Sequence, residues 1–404
     1  MGTPESDGPS LQENLDEFMK KQVFVEDLSP EEKAKLLREV SNEVLPSGLV
    51  NLGNTCYLNS CLQILHSIPE LRTIIENSNS TPVGKSQRLI KGLVSLFKSL
   101  DNSIEAHNPA LFLPSFFDCF PSYAEREEND KAFKQQDADE CFQGLISEIE
   151  NGLSTSDSHK IANLFEIQYQ VIYKCLEENP SNQTEITNQM EIARKLPCMI
   201  EGENGLAQTL NEGIKFGMED TIVKFSETLG RDAKFIKMFK LSNLPSYLVV
   251  QEMRFTWREK HLSANTEAGK VKILRNVAYP KILDVFDFCS EDLQQKLSIA
   301  RALETESENK LKEDQKNNFD NWVIANNHES NESSKNWSLY KEFKKKDDSM
   351  KHDRRLWGDH SVGQITGNYE LVGIVTHKGR SSDSGHYLSW LQFKGDSWVK
   401  LNDD

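Results

Sequence analysis

The chain is short of basic charge: 47 Lys and Arg stand against 63 Asp and Glu over 404 residues, a formal net charge of −16. That deficit excludes the broad basic face with which nucleic-acid binders neutralise phosphates, and it suits a basic partner or basic peptide tail instead. Long apolar runs are missing as well. No stretch approaches the ~18 residues that span a bilayer, and the opening MGTPESDGPSLQEN is too polar for a secretory signal. Neither nucleic acid nor membrane is an expected partner. Cysteine is scarce, with seven in the whole chain, an odd and scattered number. No disulfide framework follows, and the thiols read as reduced, in cytosol or nucleus. There is no CxxC pair, and Cys175 and Cys198 stand singly, so no zinc site and no cofactor is expected.

What is present is a chain that is 37% hydrophobic and 27% charged, enough for a sizeable core under a solvated surface. Its length allows two or three domains, or one large domain with insertions. Residues 1–22 read as a disordered leader. Residues 23–47 read as a linker with a helix start at Ser29-Pro30-Glu31-Glu32, a Ser cap with Pro in the first turn. From Gly48 to about residue 155 the pattern is helical. Leu58, Leu62, Leu65 and Ile68 share a face that Pro69 should end, and Phe142, Leu145, Ile146, Ile149 and Leu153 recur at helical spacing. Asp137 and Glu140 are spaced as a capping box.

From about residue 160 the texture changes. FEIQYQVIYKC, PSYLVVQEMRF, YELVGIVTH and HYLSWLQF…SWVKLN read as strands, with a helix-like SEDLQQKLSIARAL between them. Residues 304–355, rich in Lys, Glu, Asn and Ser, are expected to form a polar, mobile insertion. Helices first and strands afterwards give an α+β layout over 48–404.

Cys56 raises the question of chemistry. Taken alone, a free cysteine usually fills space. Cys56, however, sits in GLVNLGNTCYLNSCLQ at the start of a helix, where unpaired N–H groups and the helix dipole are expected to lower its pKa. Gly53 allows close backbone approach, and Asn51 offers an amide donor for an oxyanion. A base must come from nine histidines. His328 and His352 lie in the polar tract, and His66 lies too late in the Cys56 helix. His386 stands at a strand start after a Gly-Ser loop. A hairpin folded about Lys394 or Gly395 puts Asn402 on the His386 face, as the third member of a triad would be, and Asp403 on the other. Cysteine and histidine together make a Cys–His hydrolase plausible; each alone has a structural explanation.

GLVNLGNTCYLNSCLQ, QQDADECF, LPSYLVVQEMRF and YELVGIVTHKGRSSDSGHYLSW…WVKLNDD resemble, in order, the signature boxes of the ubiquitin-specific proteases. The resemblance covers about Val23 to Asp404 and implies a papain-like cysteine protease fold with thumb, palm and fingers. It implies Cys56 as nucleophile, His386 as base, Asn402 as third member, Asn51 as oxyanion donor and Asp403 as the acid beside the third member. Gln135, Gln136 and Asp137 match the box lining the cleft. The Gly379–Gly385 loop, with Ser381, Ser382 and Gly385, is expected to border the ubiquitin tail together with the loop within 257–276, and Tyr387 just after it is a further expected substrate-binding residue. The implied partners are ubiquitin and ubiquitinated proteins. Likeness to a proteasome-associated member adds the 26S proteasome, although only about twenty polar residues precede Val23, where that member carries a ubiquitin-like domain. The family fold continues into further strands after the triad, so truncation at the C-terminus is expected here. The alternatives are a ubiquitin-binding adaptor without turnover and a thiol hydrolase acting on another modifier.

Overall fold

Among the described residues, six α-helices precede the first strand: α1 (Cys56–His66), α2 (Pro69–Glu76), α3 (Lys85–Asp101), α4 (Leu113–Cys119), α5 (Ala138–Gly152) and α6 (Thr155–Phe165). The computed structural model describes residues 45–78, 84–103, 105–127, 132–178, 184–202, 205–258, 269–326, 366–379 and 385–403. The chain divides into residues 1–47 and 48–404. The leader expected over 1–22, and all of the linker but its last three residues, lie outside the described residues.

The helical core joins Leu58, Leu62 and Leu65 of α1 to Leu89, Leu93 and Phe97 of α3, Phe116 of α4, and Leu145 and Ile149 of α5. Burying each such side chain contributes ~1.5–3 kcal/mol before conformational entropy is charged against it. The apolar stripe expected on α1 is there, but the helix is buried almost all round: every residue from Cys56 to Gln63 is buried. Helix α5 packs on one side of it and a β-strand on the other, which is why its polar residues are interior too. Pro69 does not end α1, which stops at His66; it opens α2, where its missing N–H costs nothing. Asp137 caps α5, its Oδ1 accepting from the N–H groups of Asp139 (2.8 Å) and Glu140 (3.2 Å). The reciprocal Glu140 bond of a capping box is not made.

The strands that follow are β1 (Ile167–Cys175), β2 (Ile186–Ala193), β3 (Leu196–Met199), β4 (Glu201–Gly202) and β5 (Gly205–Leu206). After α7 (Leu210–Gly217) come β6 (Glu219–Ser226), β7 (Arg231–Asn243), β8 (Val250–Met253), β9 (Phe255–Arg258), β10 (Gly269–Lys272) and β11 (Ile282–Asp284). Helix α8 (Glu291–Asn326) leads to β12 (Asn368–Glu370), β13 (Gly373–Lys378), β14 (His386–Lys394) and β15 (Ser397–Leu401). An antiparallel sheet has the order β2-β1-β7-β6, and a second the order β13-β14-β15; β3 and β8 pair in parallel. Strand β1 alternates as its sequence suggests, burying Ile167, Tyr169 and Val171 in a second core with Leu196, Ile214, Leu241 and Leu297.

One expectation is corrected in α8. The polar tract expected over 304–355 is helical through Asn326. Leu293, Leu297 and Ala300 anchor its start, and the Glu, Lys and Gln in the sequence that follows have high helix propensity. Residues 327–355 lie outside the described residues.

Candidate active site

The turn ahead of α1 is built around one side chain. Asn51 Oδ1 accepts from the Gly53 N–H (3.0 Å), the Thr55 N–H (3.2 Å) and the Thr55 hydroxyl (3.3 Å), while Thr55 Oγ1 accepts from the Leu52 N–H (2.9 Å). Two consecutive residues take left-handed backbone angles, Gly53 at φ 94° and Asn54 at φ 57°. Glycine does so without strain, and asparagine tolerates it best among residues with a side chain. Asn54 Nδ2 is tied to Glu127 Oε1 and the Phe133 carbonyl, both at 2.9 Å. With Asn51 Oδ1 committed to the turn, its amide plane is fixed, and Nδ2 is the half left to meet an acceptor.

Cys56 is the first residue of α1 and is 2% exposed. The backbone N–H of Tyr387 donates to its Sγ at 3.4 Å, and Gln135 Nε2 lies 4.0 Å from it. The lowered thiol pKa expected from the helix start is not found. Burial pushes the Cys56 thiol up, opposed by the Tyr387 N–H and reinforced by the charge of Asp403. The N–H groups of Tyr57 and Cys56 act downward, as expected of a helix start, but desolvation is larger.

His386 opens β14. The β14–β15 ladder pairs Ser389 with Leu401 and Gln392 with Trp398, so it centres on Gly395, one of the two registers expected. Asn402 is then diagonal to His386 on the same face, and its Oδ1 lies 2.6 Å from His386 Nε2. Asp403 does not keep to the opposite face. The strand ends at Leu401, so the pleat no longer dictates direction. Asp403 turns in, its Oδ1 3.7 Å from His386 Nε2 and its Oδ2 accepting from Asn59 Nδ2 at 2.6 Å. The amide oxygen of Asn402 accepting at 2.6 Å requires Nε2 to carry the proton, which leaves Nδ1 as the basic nitrogen.

The remaining candidates divide. Gln136 is partly buried and makes no hydrogen bond to the thiol, and Asp137 is occupied as the α5 cap. Gly385 has φ 150°, and a Cβ on it would lie 2.3 Å from both His377 Nε2 and the Lys378 carbonyl oxygen, so its need is conformational. Tyr387 contributes its N–H to the thiol, and its ring stands 4.7 Å from that of His377. Ser381, Ser382 and residues 259–268 lie outside the described residues. His66 is paired with Asp101 at 2.9 Å, at the far end of α1. Asn59 was not anticipated. Its signal is a polar residue one turn after Cys56 on a helix that is otherwise packed on all sides. Among the described residues no group of three or more His, Cys, Asp and Glu is placed to hold a metal, and no helix is long and apolar enough to cross a membrane.

A buried cysteine at a helix start, a histidine with one ring nitrogen held by an amide and a carboxylate, and a pinned asparagine amide form the constellation of a thiol hydrolase. A family profile described as ubiquitin carboxyl-terminal hydrolase matches residues 47–404. The chain is 33% identical to ubiquitin carboxyl-terminal hydrolase 6 of Arabidopsis thaliana, over 95% of this chain and 75% of that protein. It is 32% identical to ubiquitin carboxyl-terminal hydrolase 14 of Caenorhabditis elegans, over 100% of this chain and 77% of that one. A Schizosaccharomyces pombe ubiquitin carboxyl-terminal hydrolase 6 is 32% identical over 90% of this chain and 73% of its own. The chain belongs to the ubiquitin carboxyl-terminal hydrolase family, the cysteine-type, ubiquitin-specific proteases.

Proposed function

We propose that this chain hydrolyses the peptide or isopeptide bond after the C-terminal glycine of ubiquitin, within a papain-like arrangement of thumb, palm and fingers. The observation that carries the proposal is the meeting of Cys56 with the β14 start, more than three hundred residues on, where Tyr387 N–H reaches Sγ and His386 is held by Asn402 and Asp403. His386 Nδ1 takes the thiol proton as Sγ attacks the glycine carbonyl carbon. The tetrahedral oxyanion is received by Asn51 Nδ2 and backbone N–H groups at the head of α1. Collapse expels the lysine amine, which takes the proton from His386 and leaves a thioester. Water, deprotonated by His386, then releases ubiquitin's carboxylate and restores the thiol.

Burial of a neutral thiol at rest supports a site in which His386 must remove the proton when substrate arrives. The same observation favours a second reading, an adaptor that binds ubiquitin without turning it over. Ubiquitin-propargylamide separates the two: covalent labelling of the unchanged chain, abolished in Cys56→Ala while ubiquitin binding persists, is the expected result. Hydrolysis surviving in Cys56→Ala would end the assignment. The motif resemblance also supports ubiquitin on proteasome-bound proteins as the substrate, and co-sedimentation with 26S proteasomes tests that part separately.

A further inference from the structure

Lys272, the last residue of β10, uses its ammonium in an unusual way. Nζ donates to the carbonyl of His377 at 2.8 Å and the carbonyl of Gly379 at 3.1 Å, and it lies 3.1 Å from His377 Nδ1. It also stands 6.0 Å from the ring of Phe255, its cross-strand partner. All three hydrogen-bonding partners are neutral. Burial and the neighbouring Arg254 charge make the ammonium less favourable than in water, so this cation is not held by charge pairing. Three N–H donors meet three acceptors at the end of β13, which fixes that end in space. Because a lysine ammonium can only donate, His377 is held in the tautomer with Nδ1 unprotonated.

His377 in turn packs against the start of β14. Its ring packs 4.7 Å from that of Tyr387, and its Nε2 occupies the space a Cβ at Gly385 would need. Lys378 pairs with His386 across β13 and β14. Contacts thus run from Lys272 through His377 to Gly385 and Tyr387, and from the Tyr387 N–H to Cys56 Sγ, while His386 is tied to the same strand end by its pairing with Lys378.

We propose that Lys272 is a positioning residue for hydrolysis: by pinning the two carbonyls and the His377 ring at the end of β13, it sets where His386 and the Tyr387 N–H stand relative to Cys56. The inference rests on the function proposed above for its consequence in turnover, but not for its geometry. A displacement of ~1 Å at reacting groups costs on the order of a hundredfold in rate, so loss of all three donors should be felt mainly in kcat.

The test compares Lys272→Met, which keeps the stem and removes every donor, with Lys272→Arg, which keeps charge and donors. Ubiquitin with a fluorogenic C-terminal amide is the substrate, and iodoacetamide alkylation of Cys56, with Cys56→Ala as background, is the readout that needs no ubiquitin. Lys272→Met is expected to lower kcat about tenfold or more with KM changed less than about twofold, and to change the Cys56 alkylation rate. Lys272→Arg should recover a large part of both. Unchanged alkylation and unchanged kcat in Lys272→Met would overturn the inference. So would losses that follow a drop in melting temperature, with Lys272→Arg no better than Lys272→Met. If the unchanged chain fails to hydrolyse the substrate, the proposed function falls, while alkylation still decides whether Lys272 positions the thiol's surroundings.

Discussion

At the scale of single residues, Asn402 and Asp403 both approach the same ring nitrogen of His386. Asn402 is exposed and makes the short contact to His386 Nε2 at 2.6 Å, but it is neutral. Asp403 is farther, at 3.7 Å, but its side chain is 7% exposed and anchored by Asn59. A buried charge stabilises the imidazolium that forms during attack more than an exposed neutral bond does. The pleat alone would rank Asn402 first; the burial and charge of Asp403 argue for the opposite order. Asp403→Ala is expected to lower kcat by on the order of a hundredfold, and Asn402→Ala by about tenfold. Steady-state kinetics of both variants check it, and a larger loss in Asn402→Ala would return the orienting role to the amide. Asp403 also has an opposite effect on the nucleophile. Its charge raises the Cys56 pKa, so Asp403→Asn should move the pH profile of Cys56 alkylation to lower pH even as turnover falls.

At the scale of elements, the site depends on one hairpin and one turn. The β13–β14 pair brings His386 and Tyr387 to α1, and Gly385 joins it with a backbone angle that a side chain strains. A methyl there would collide with His377 and with the Lys378 carbonyl oxygen, neither of which can withdraw: one is held by Lys272, the other is backbone. Gly385→Ala is therefore expected to cut kcat by about tenfold or more while the helical core and the four-stranded sheet stay folded. Hydrolysis measured beside circular dichroism checks this. Full activity with native ellipticity would show that the hairpin absorbs the methyl. The turn over residues 51–55 is the counterpart ahead of Cys56, and the Asn51 side-chain oxygen shapes it.

At the scale of the whole molecule, reduced thiols are part of the core. All seven cysteines are free and buried. Burial pushes Cys119 up to about 11 and both Cys198 and Cys289 up to about 12, against an ordinary value of 9.0. A group whose pKa is higher in the folded than in the unfolded state contributes stability that is complete below the unfolded value and is lost as pH rises through the folded one. Between pH 9 and pH 12 the unfolded chain sheds these protons first. Thermal midpoints should accordingly fall by a few degrees from pH 8 to pH 10.5. Replacing Cys198 by alanine should flatten that fall, although the variant is less stable at pH 8 through lost packing. A midpoint constant over that range would show that the thiols are wetter than they stand here.

Much of this was legible along the chain because it is local. The apolar spacing of Leu58, Leu62 and Leu65, the alternation of Ile167, Tyr169 and Val171, the Asp137 cap and a hairpin folded about Lys394 or Gly395 depend on neighbours a few residues away. The motif boxes likewise named Cys56, His386, Asn402 and Asn51. Tertiary structure decided the rest. The thiol's pKa rises because packing of the folded chain around it removes water, which no property of the Cys56 segment reveals. Asp403 turns inward because Asn59, 344 positions away, gives its carboxylate a partner beyond the end of the strand. Lys272 enters the site only through contacts 105 and 107 positions distant, on backbone oxygens that carry no sequence signature at all. Local spacing set the elements and their faces; desolvation and long-range hydrogen bonds, which exist only once those elements pack, set the state of the reacting groups.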